Sequence, residues 1–291
     1  MTSERERSKE GIKVHKQIIA EKQDLTYLNW TKIRNSSGTA GSFLKAYYEI
    51  GGQKVYYKLS NFDAYSGIIG HECINELIVD RLLTLLGVEH LSYQLIYADI
   101  LIDGIAYTTW LCASEDYKQK GENKIALDVY YQAERLDEKE KPLDFCIRQG
   151  WGDSVYRMIV VDFLILNRDR HGANIEVLRN SRNKTVRLAP LFDHGLSFVY
   201  SCYEPSMLEG VDVMEDRPVQ CFLGSRSVRE NLKIIPKDKM PALNALREQD
   251  REYLFQGLEK ALPDEYQAVI WKMIWARWRY YEDFCNQRRE S

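Results

Sequence analysis

The sequence contains the run Asn167-Arg-Asp-Arg-His-Gly-Ala-Asn174, followed after two strand-like segments by Leu191-Phe-Asp-His-Gly195. A strongly apolar stretch, Ser154–Asn167, precedes the first run and predicts a buried helix that leads into it. The two strand-like segments predict a β-hairpin. Because a hairpin places its two ends side by side, we expect Asn174 and Asp193 to be neighbours in the fold.

These side chains suit phosphoryl transfer. An amide oxygen from Asn174 and a carboxylate from Asp193 can hold Mg²⁺, which shares phosphate oxygens with its nucleotide. Asp169 is close by in the chain and can accept a proton from an incoming hydroxyl. The spacing D-x-x-x-x-N followed by D-x-G is the arrangement of kinase active sites. Taken alone, Asp169 and Asn174 also fit ordinary turn chemistry, since both residue types favour loops.

Three segments resemble one protein family. The D-x-H-x-x-N pattern of Asp169–Asn174 resembles the catalytic loop of HipA-like serine/threonine kinases, and also that of phosphoinositide-3-kinase-like enzymes. Leu188–Asp193 resembles the metal-binding strand end of the HipA-like family, and Asn75-Glu76 is similar to its regulatory-helix signature. The resemblance covers roughly residues 35–285. It implies a free-standing kinase domain like the small members of that family, because the chain lacks room for the extra N-terminal module of full-length HipA toxins.

The order of predicted elements fits the fold that this resemblance implies. A hairpin around Gly51-Gly52, a helix over Gly70–Leu86 and a second hairpin predict a small α+β lobe. We therefore expect an α+β, bilobal protein-kinase-like fold with a β-rich N-lobe and a mainly helical C-lobe. The expected boundaries are a leader over residues 1–24, an N-lobe over 25–112 and a C-lobe over 113–291.

The resemblance also implies roles for residues of the two runs. Asp169 would be the catalytic base or the carboxylate that positions the substrate. Asn174 and Asp193 would bind Mg²⁺, and the nucleotide would be ATP. His171 would shape the loop by hydrogen bonding, with a contact to the transition-state phosphate as the alternative.

In the N-lobe the resemblance implies a lysine–acid pair. Lys58 would contact the nucleotide phosphates and pair with an acid on the predicted helix, Glu76 by choice and Glu72 in reserve. Without the resemblance, Lys58 is an ordinary strand lysine of the kind that protects sheet edges. Without the resemblance, Glu72, Glu76 and Asp80 most simply form the solvated face of an amphipathic helix.

Two further segments are assigned to ATP by the resemblance. The backbone of a glycine-containing loop would cover the phosphates: Ser37, Gly38, Thr39, Ala40 and Gly41. Glu115 and its neighbours would form the hinge that reads the adenine edge. Hydroxyl groups in the loop are candidates for autophosphorylation, and phosphate added there would repel the nucleotide. The loop composition also fits a flexible connector.

These assignments predict an ATP- and Mg²⁺-dependent serine/threonine protein kinase. A phosphoinositide or small-molecule kinase is an alternative, because D-R-H-x-x-N fits such enzymes equally well. A non-catalytic nucleotide-binding regulator is a third, although the complete set of Asp169, Asn174 and Asp193 argues against it. The sequence Asp193-His-Gly and the lack of a following A-P-E motif separate the chain from ordinary protein kinases.

Composition limits the partners and the compartment. The 291 residues carry a net charge of −3 without a long Lys/Arg run, so we expect no nucleic-acid binding. Six scattered cysteines without a C-x-x-C pair indicate neither a zinc site nor a disulfide framework. The lack of a secretory signal and of a long apolar run predicts a cytoplasmic protein without a membrane span, and leaves translocation without a signal peptide open. The expected partner is a protein substrate with a Ser or Thr acceptor, and a regulatory or antitoxin protein is an open alternative.

Overall fold

A mixed sheet forms the N-terminal lobe. The computed structural model describes residues 17–30, 43–63 and 65–290. Within these ranges the lobe contains β1 (Ile18–Asp24), β2 (Lys45–Ile50), β3 (Gln53–Leu59), β4 (Phe62–Asp63), β5 (Gly67–Ile68), α1 (Glu72–Leu86), β6 (Gln94–Ile102) and β7 (Ile105–Glu115). The described strands form a five-stranded sheet in the order β1-β6-β7-β3-β2, and β4 and β5 make a separate small hairpin.

The β2–β3 hairpin turns at Gly51-Gly52, as the sequence predicts. Both glycines have positive φ, 59° and 83°, which glycine adopts without a Cβ clash. In β3, Tyr57 and Leu59 pack into the core of the lobe. Because successive residues face opposite sides of a strand, Lys58 lies on the other face, which α1 covers.

The first strand differs from the expected boundary. β1 is an edge strand that pairs in parallel with β6, with Ile18 opposite Leu95. Its residues belong to the N-lobe sheet, so the leader predicted over residues 1–24 extends too far. The middle of β1 is exposed, and it therefore lacks the apolar pattern by which buried strands are recognised. At the other end of the lobe, β7 runs to Glu115, past the expected boundary at residue 112.

α1 is buried around most of its circumference. It begins at Glu72 and ends at Leu86, and Gly87 follows with a left-handed φ of 70°. The sheet covers one side of the helix and the second lobe covers another. The prediction of a solvated acidic face is therefore wrong, since Glu72, Glu76 and Asp80 are each at most 3% exposed.

The buried acids on α1 have polar partners. Asp80 accepts hydrogen bonds from His90 Nε2 at 2.8 Å and from the backbone N–H of Tyr93 at 2.7 Å. Glu72 accepts one from the backbone N–H of Asn61 at 3.2 Å. Such partners offset the free energy of removing a carboxylate from water.

The second lobe is mainly helical with an embedded hairpin, as the sequence predicts. Its elements are β8 (Glu122–Ala126), α2 (Leu127–Glu134), α3 (Pro142–Arg148), α4 (Gly152–Ile165), β9 (Asp169–Arg170), β10 (Glu176–Asn180), β11 (Thr185–Leu188), β12 (Gln220–Cys221), α5 (Val228–Lys233), α6 (Asp250–Phe255) and α7 (Asp264–Glu290). Antiparallel pairing joins β10 to both β8 and β11. β9 and β12 pair in parallel.

α4 carries the Asn167–Asn174 run to the cleft between the lobes. The helix is buried, and α7 packs against it, with Arg277 Nη1 donating a hydrogen bond to Phe163 O at 3.0 Å. α4 ends at Ile165, and the following Leu166 has a φ of 49°, which turns the chain out of the helix and towards β9.

The hydrophobic core joins the two lobes. A smaller cluster lies within the N-lobe sheet around residues such as Leu59 and Ile100. A larger one packs α1 together with α4 and α7, through residues such as Leu82, Val160 and Ile270. α1 therefore packs against the second lobe as well as against its own sheet. In the part of the chain that the structure describes, no helix combines the length and apolar character needed to cross a bilayer.

Candidate active site

Three charged side chains from separate elements meet between the lobes. Lys58 Nζ on β3 lies 2.7 Å from Glu76 Oε1 on α1 and 2.5 Å from Asp193 Oδ1. Glu76 is fully buried, and the Lys58 side chain keeps 12% of its exposure. The lysine thus pairs with Glu76, the acid chosen from the sequence, and not with the reserve Glu72.

These ion pairs fix the charges of the site. Burial alone would lower the pKa of Lys58, but the carboxylates of Asp193 and Glu76 outweigh it and hold that pKa well above its ordinary value. Burial would raise the pKa of Asp193, but the ammonium groups of Lys58 and Lys45 outweigh it and hold that pKa well below its usual range. Lys58 and Asp193 are therefore both charged at neutral pH.

α1 also holds the backbone of the segment that follows Asp193. The backbone N–H groups of His194 and Gly195 donate to the two oxygens of Glu76 at 2.8 and 3.1 Å. Asn75 Nδ2 donates to Gly195 O at 2.9 Å. A Cβ at Gly195 would lie 3.3 Å from Lys58 Nζ, so glycine allows this close approach. The adjacent Asn75 and Glu76 therefore both bind the segment.

The sequence predicts Asp193 at the end of a strand, but in the structure it lies beyond the end of β11. β11 stops at Leu188, because Pro190 lacks the N–H that a ladder needs. Asp193 has a φ of 58°, which a non-glycine residue adopts at a free-energy cost of about 1 kcal/mol. The ion pair with Lys58 and the hydrogen bonds around it offset this cost.

The Asn167–Asn174 run forms a hydrogen-bonded loop around Asp169. The backbone N–H of Asp169 donates to Asn167 Oδ1 at 3.1 Å. Asn174 Nδ2 donates to Asp169 O at 2.8 Å. Two side-chain amides therefore hold the backbone of the aspartate on both sides.

The Asp169 carboxylate is suited to accept a hydroxyl proton. Its Oδ1 is buried and has no hydrogen-bond partner among the described residues. Burial raises the pKa of Asp169; His171 opposes this effect and the charge of Asp193 adds to it. A carboxylate with a raised pKa is a stronger base than an exposed one.

Arg170 organises the site, and sequence reasoning missed it. The guanidinium is buried and forms an ion pair with Asp162 of α4 at 2.9 Å. Its Nη1 donates to Asn174 O and to Phe192 O, both at 3.0 Å. One nitrogen thereby ties together the two chain segments that carry Asn174 and Asp193. One feature of the sequence does indicate a residue such as Arg170. Asp162 is an acid within an apolar helix, and a buried acid requires a charged or hydrogen-bonding partner.

Asn174 and Asp193 fit the ligand chemistry of Mg²⁺. Because Asn174 Nδ2 is bound to Asp169 O, the amide oxygen remains as an acceptor for a ligand. In the described ranges, no group of three or more His, Cys, Asp or Glu side chains is arranged to hold a metal. Mg²⁺ bound with a nucleotide does not need such a group, since phosphate and water oxygens complete its shell. The metal-binding role of the two residues remains a prediction.

His171 has the geometry of a loop-shaping residue. Its Nδ1 accepts a hydrogen bond from the backbone N–H of Ala173 at 3.2 Å, and its Nε2 lies 3.7 Å from Asp169 Oδ2. The neighbouring Gly172 allows α2 to pack against the loop, because a Cβ there would lie 2.5 Å from Asp128 Cβ. Both residues thus hold the shape of the Asp169 loop.

Of the two segments that the resemblance assigns to ATP binding, the structure describes only the one around Glu115. The loop Ser37 to Gly41 is outside the described residues. Glu115 is the exposed last residue of β7, where its carboxylate accepts a hydrogen bond from Gln53 Nε2 at 2.5 Å. Beyond it, the ring of Tyr117 stacks on Phe192 with centroids 5.8 Å apart. This aromatic pair next to Asp193 was not recognised in the sequence.

Lys45 is a second lysine of the site that sequence reasoning missed. It lies directly opposite Lys58 in the β2–β3 register, and its Nζ is 3.7 Å from Asp193 Oδ2. The signal was present, because Lys45 and Lys58 are equally distant from Gly51-Gly52 (51 − 45 = 58 − 52 = 6). Residues at equal distances from a two-residue turn face each other across a hairpin.

Comparison with solved structures places this fold among known ones. The Helicobacter pylori proinflammatory kinase CtkA aligns with a TM-score of 0.59 and 14% identity, over 93% of this chain and 98% of that one. HipA from the Shewanella oneidensis MR-1 toxin–antitoxin complex with HipB and operator DNA aligns with a TM-score of 0.50 and 14% identity, over 90% of this chain and 70% of that one. No protein-family model and no curated protein sequence matches the chain. The predicted α+β kinase-like fold and its similarity to HipA-like structures are confirmed.

Proposed function

We propose that the protein is an ATP- and Mg²⁺-dependent serine/threonine protein kinase. The observation that carries this proposal is the Lys58 ammonium held between Glu76 and Asp193. A buried lysine bound by a helix acid and facing a metal-type carboxylate is the arrangement that protein kinases use for nucleotide phosphates. The presence of Asp169 in the adjoining loop adds the group that receives the acceptor hydroxyl.

In this mechanism each residue has a separate task. Lys58 binds the phosphates, and Glu76 holds the lysine in place. Asn174 and Asp193 would hold Mg²⁺, which would supply neutralisation of charge on the phosphate oxygens. Asp169 orients the acceptor hydroxyl and accepts its proton at the carboxylate. Positioning and charge neutralisation account for most of the rate, because the loose transition state requires little covalent assistance.

The acceptor is proposed to be a Ser or Thr hydroxyl of a protein. The fold shared with a protein named as a kinase supports phosphoryl transfer. HipA in the second solved structure is bound to HipB, which supports the proposal that a regulatory protein also binds this chain. A phosphoinositide or small-molecule acceptor is the alternative on the same machinery.

Transfer from labelled ATP tests the proposal directly. The purified chain, γ-labelled ATP and Mg²⁺ are incubated with a cell lysate and, separately, with phosphoinositide vesicles. Label on protein is expected, and it should be lost with EDTA and in the variants Asp169→Asn and Asp193→Asn. Asp238→Asn, a matched change at an exposed residue of the second lobe, should keep full transfer.

The outcomes separate the candidates. Label on lipid alone would show the alternative acceptor. Binding of ATP without transfer to any acceptor would make the protein a regulator. Asp169→Asn should retain nucleotide binding, because its task concerns the hydroxyl, whereas a loss of binding would assign Asp169 a structural role.

Autophosphorylation is a further part of the proposal. The hydroxyl residues within and directly beside the predicted phosphate-covering loop are the expected sites: Ser36, Ser37, Thr39 and Ser42. A phosphate there would repel those of ATP and lower activity. Mass-spectrometric site mapping after incubation with ATP is expected to find modified residues in this loop, and phosphate found only elsewhere would contradict it.

A further inference from the structure

A cavity lined by both the Asp169 loop and β12 opens beside Asp169. It has a volume of about 200 Å³ and is lined by Arg168, Asp169, Leu196, Tyr200, Val219 and Arg226, among others. An acceptor hydroxyl that reaches Asp169 from this side has its flanking groups inside the cavity. The composition of the wall therefore bears on which acceptors the site takes.

The segment across from Asp169 is fixed in place by the backbone. β12 runs parallel to β9, with Gln220 opposite Asp169. The backbone N–H of Gln220 donates to Arg168 O at 2.9 Å, and that of Val219 donates to Arg226 O at 2.9 Å. The wall is thus tied both to the Asp169 loop and to the chain that carries Arg226.

Two guanidinium groups dominate the charge of this wall. Arg168 uses Nε for a hydrogen bond to Pro218 O at 2.8 Å, and neither Arg168 nor Arg226 forms an ion pair with a carboxylate within the described residues. The same cavity contains one acid, Asp169. The wall therefore has a net positive charge and unused N–H donors in the fork geometry that binds carboxylates and phosphates.

We propose that this cavity is the acceptor site and that it selects a Ser or Thr flanked by an anionic side chain. The inference rests on the proposed function and adds the class of substrate. Arg226 and Arg168 bind the anion, a carboxylate or a phosphorylated serine, while the hydroxyl lies at Asp169. Leu196 and Val219 supply an apolar surface for the rest of the segment. Since the cavity holds only one or two side chains, the anion lies within about three residues of the acceptor.

Binding of matched peptides tests the selection without requiring catalysis. Fluorescent Gly/Ala peptides carry a central alanine in place of the acceptor, plus one Glu, Gln, Lys or phosphoserine at each flanking position in turn. Fluorescence anisotropy with the unmodified chain measures affinity. The Glu peptide should bind about tenfold more tightly than its Gln counterpart at one position or more, as expected of a charge-assisted pair in a half-exposed site. The phosphoserine arm identifies which anion is preferred.

A charge reversal assigns the selection to the cavity. Arg226→Glu should abolish the preference for Glu over Gln and favour the Lys peptide. Arg182→Glu, the same change on the β10–β11 turn outside the cavity, should keep the wild-type preference. Equal binding of Glu and Gln peptides at every position, or no binding of any peptide, would overturn the proposal. So would an unchanged preference in Arg226→Glu.

Serine versions of the same peptides separate this inference from the proposed function. Phosphorylation by ATP that follows the binding preference supports both. A binding preference without transfer to any peptide, lysate protein or the chain itself would contradict the kinase function and leave the anion site standing. Phosphorylation that is equally fast with and without a flanking anion would support the kinase function and contradict the anion site.

Discussion

The carboxylate of Glu76 lies 2.7 Å from the ammonium of Lys58 and also accepts hydrogen bonds from the backbone of the segment after Asp193. Glu76 therefore binds the strand lysine and also positions the backbone next to the carboxylate of Asp193. Any movement of α1 would affect both at once.

Glu76→Gln is expected to destabilise the protein and weaken ATP binding. The amide removes one of the two carboxylates that pair with the buried Lys58, and removing one partner of a buried ion pair costs about 3 kcal/mol of unfolding free energy. Glu72→Gln is the matched control one turn earlier, where burial raises the pKa of the carboxyl and the side chain forms no ion pair with any residue that the structure describes; the variant should lose less than about 1 kcal/mol of unfolding free energy. Urea denaturation measures both. If both variants lose the same unfolding free energy, the ion pair with Lys58 does not stabilise the protein more than the contacts of Glu72 do.

Lys45→Gln is expected to weaken Mg²⁺·ATP binding about tenfold, because a second cation near the phosphates is removed. Stability should change little, since the Lys45 side chain is 43% exposed. Lys54→Gln serves as control on the same hairpin, where Lys54 lies over the ring of Tyr47. Isothermal titration calorimetry gives the affinities. If the two variants bind ATP equally well, Lys45 has no part in phosphate binding.

Arg170→Met is expected to lower the unfolding free energy by about 3–5 kcal/mol, because Asp162 keeps a buried charge without its partner. The double variant Arg170→Met/Asp162→Leu should recover much of that loss, since no buried charge remains unpaired. Phosphoryl transfer should not recover, because Asn174 O and Phe192 O still lack their common donor. Denaturation and transfer assays on both variants check this. Wild-type transfer in the double variant would refute the positioning role.

His71 is expected to make the protein acid-sensitive. Burial lowers its pKa to about 4, and it packs against Tyr266 of α7 with ring centroids 5.1 Å apart. As the pH falls below about 6.5 the unfolded chain takes up the proton first, so stability decreases until about pH 4, by about 3 kcal/mol in all. His71→Phe keeps an aromatic ring and removes the titration.

The unfolding free energy of both proteins, measured across this pH range, tests the assignment. The wild type should lose more stability than His71→Phe as the pH is lowered, and the difference should vanish above about pH 7. If the two curves of unfolding free energy against pH are parallel, the pKa of His71 is the same in the folded and the unfolded chain.

Local patterns were enough to predict the elements that carry the site. The Gly51-Gly52 turn, the apolar periodicity of α1 and the apolar run of α4 each follow from short-range chemistry. The pairing of Lys58 with Glu76 followed from the family resemblance, and the structure contains it. The roles of these residues in catalysis remain predictions.

Other features depend on contacts between distant segments, which no local pattern encodes. Periodicity assigns Glu72, Glu76 and Asp80 to solvent, but α1 is covered by the sheet and by the second lobe. Arg170 is visible as a site residue only once Asp162 and the ends of the hairpin are in place. These failures fall where the two lobes meet.

The parallel pairing of β1 with β6 sets an order of events during synthesis. β1 is made early, but its partner is complete only when Ile102 has left the ribosome, after β2, β3 and α1. The β2–β3 hairpin can close long before, because its contacts are local. A chain shortened to begin at residue 25 would expose β6 as an open edge, where a second chain could add its own strand. The first described strand of the sheet therefore has to wait for β6, and once paired it covers the edge of β6.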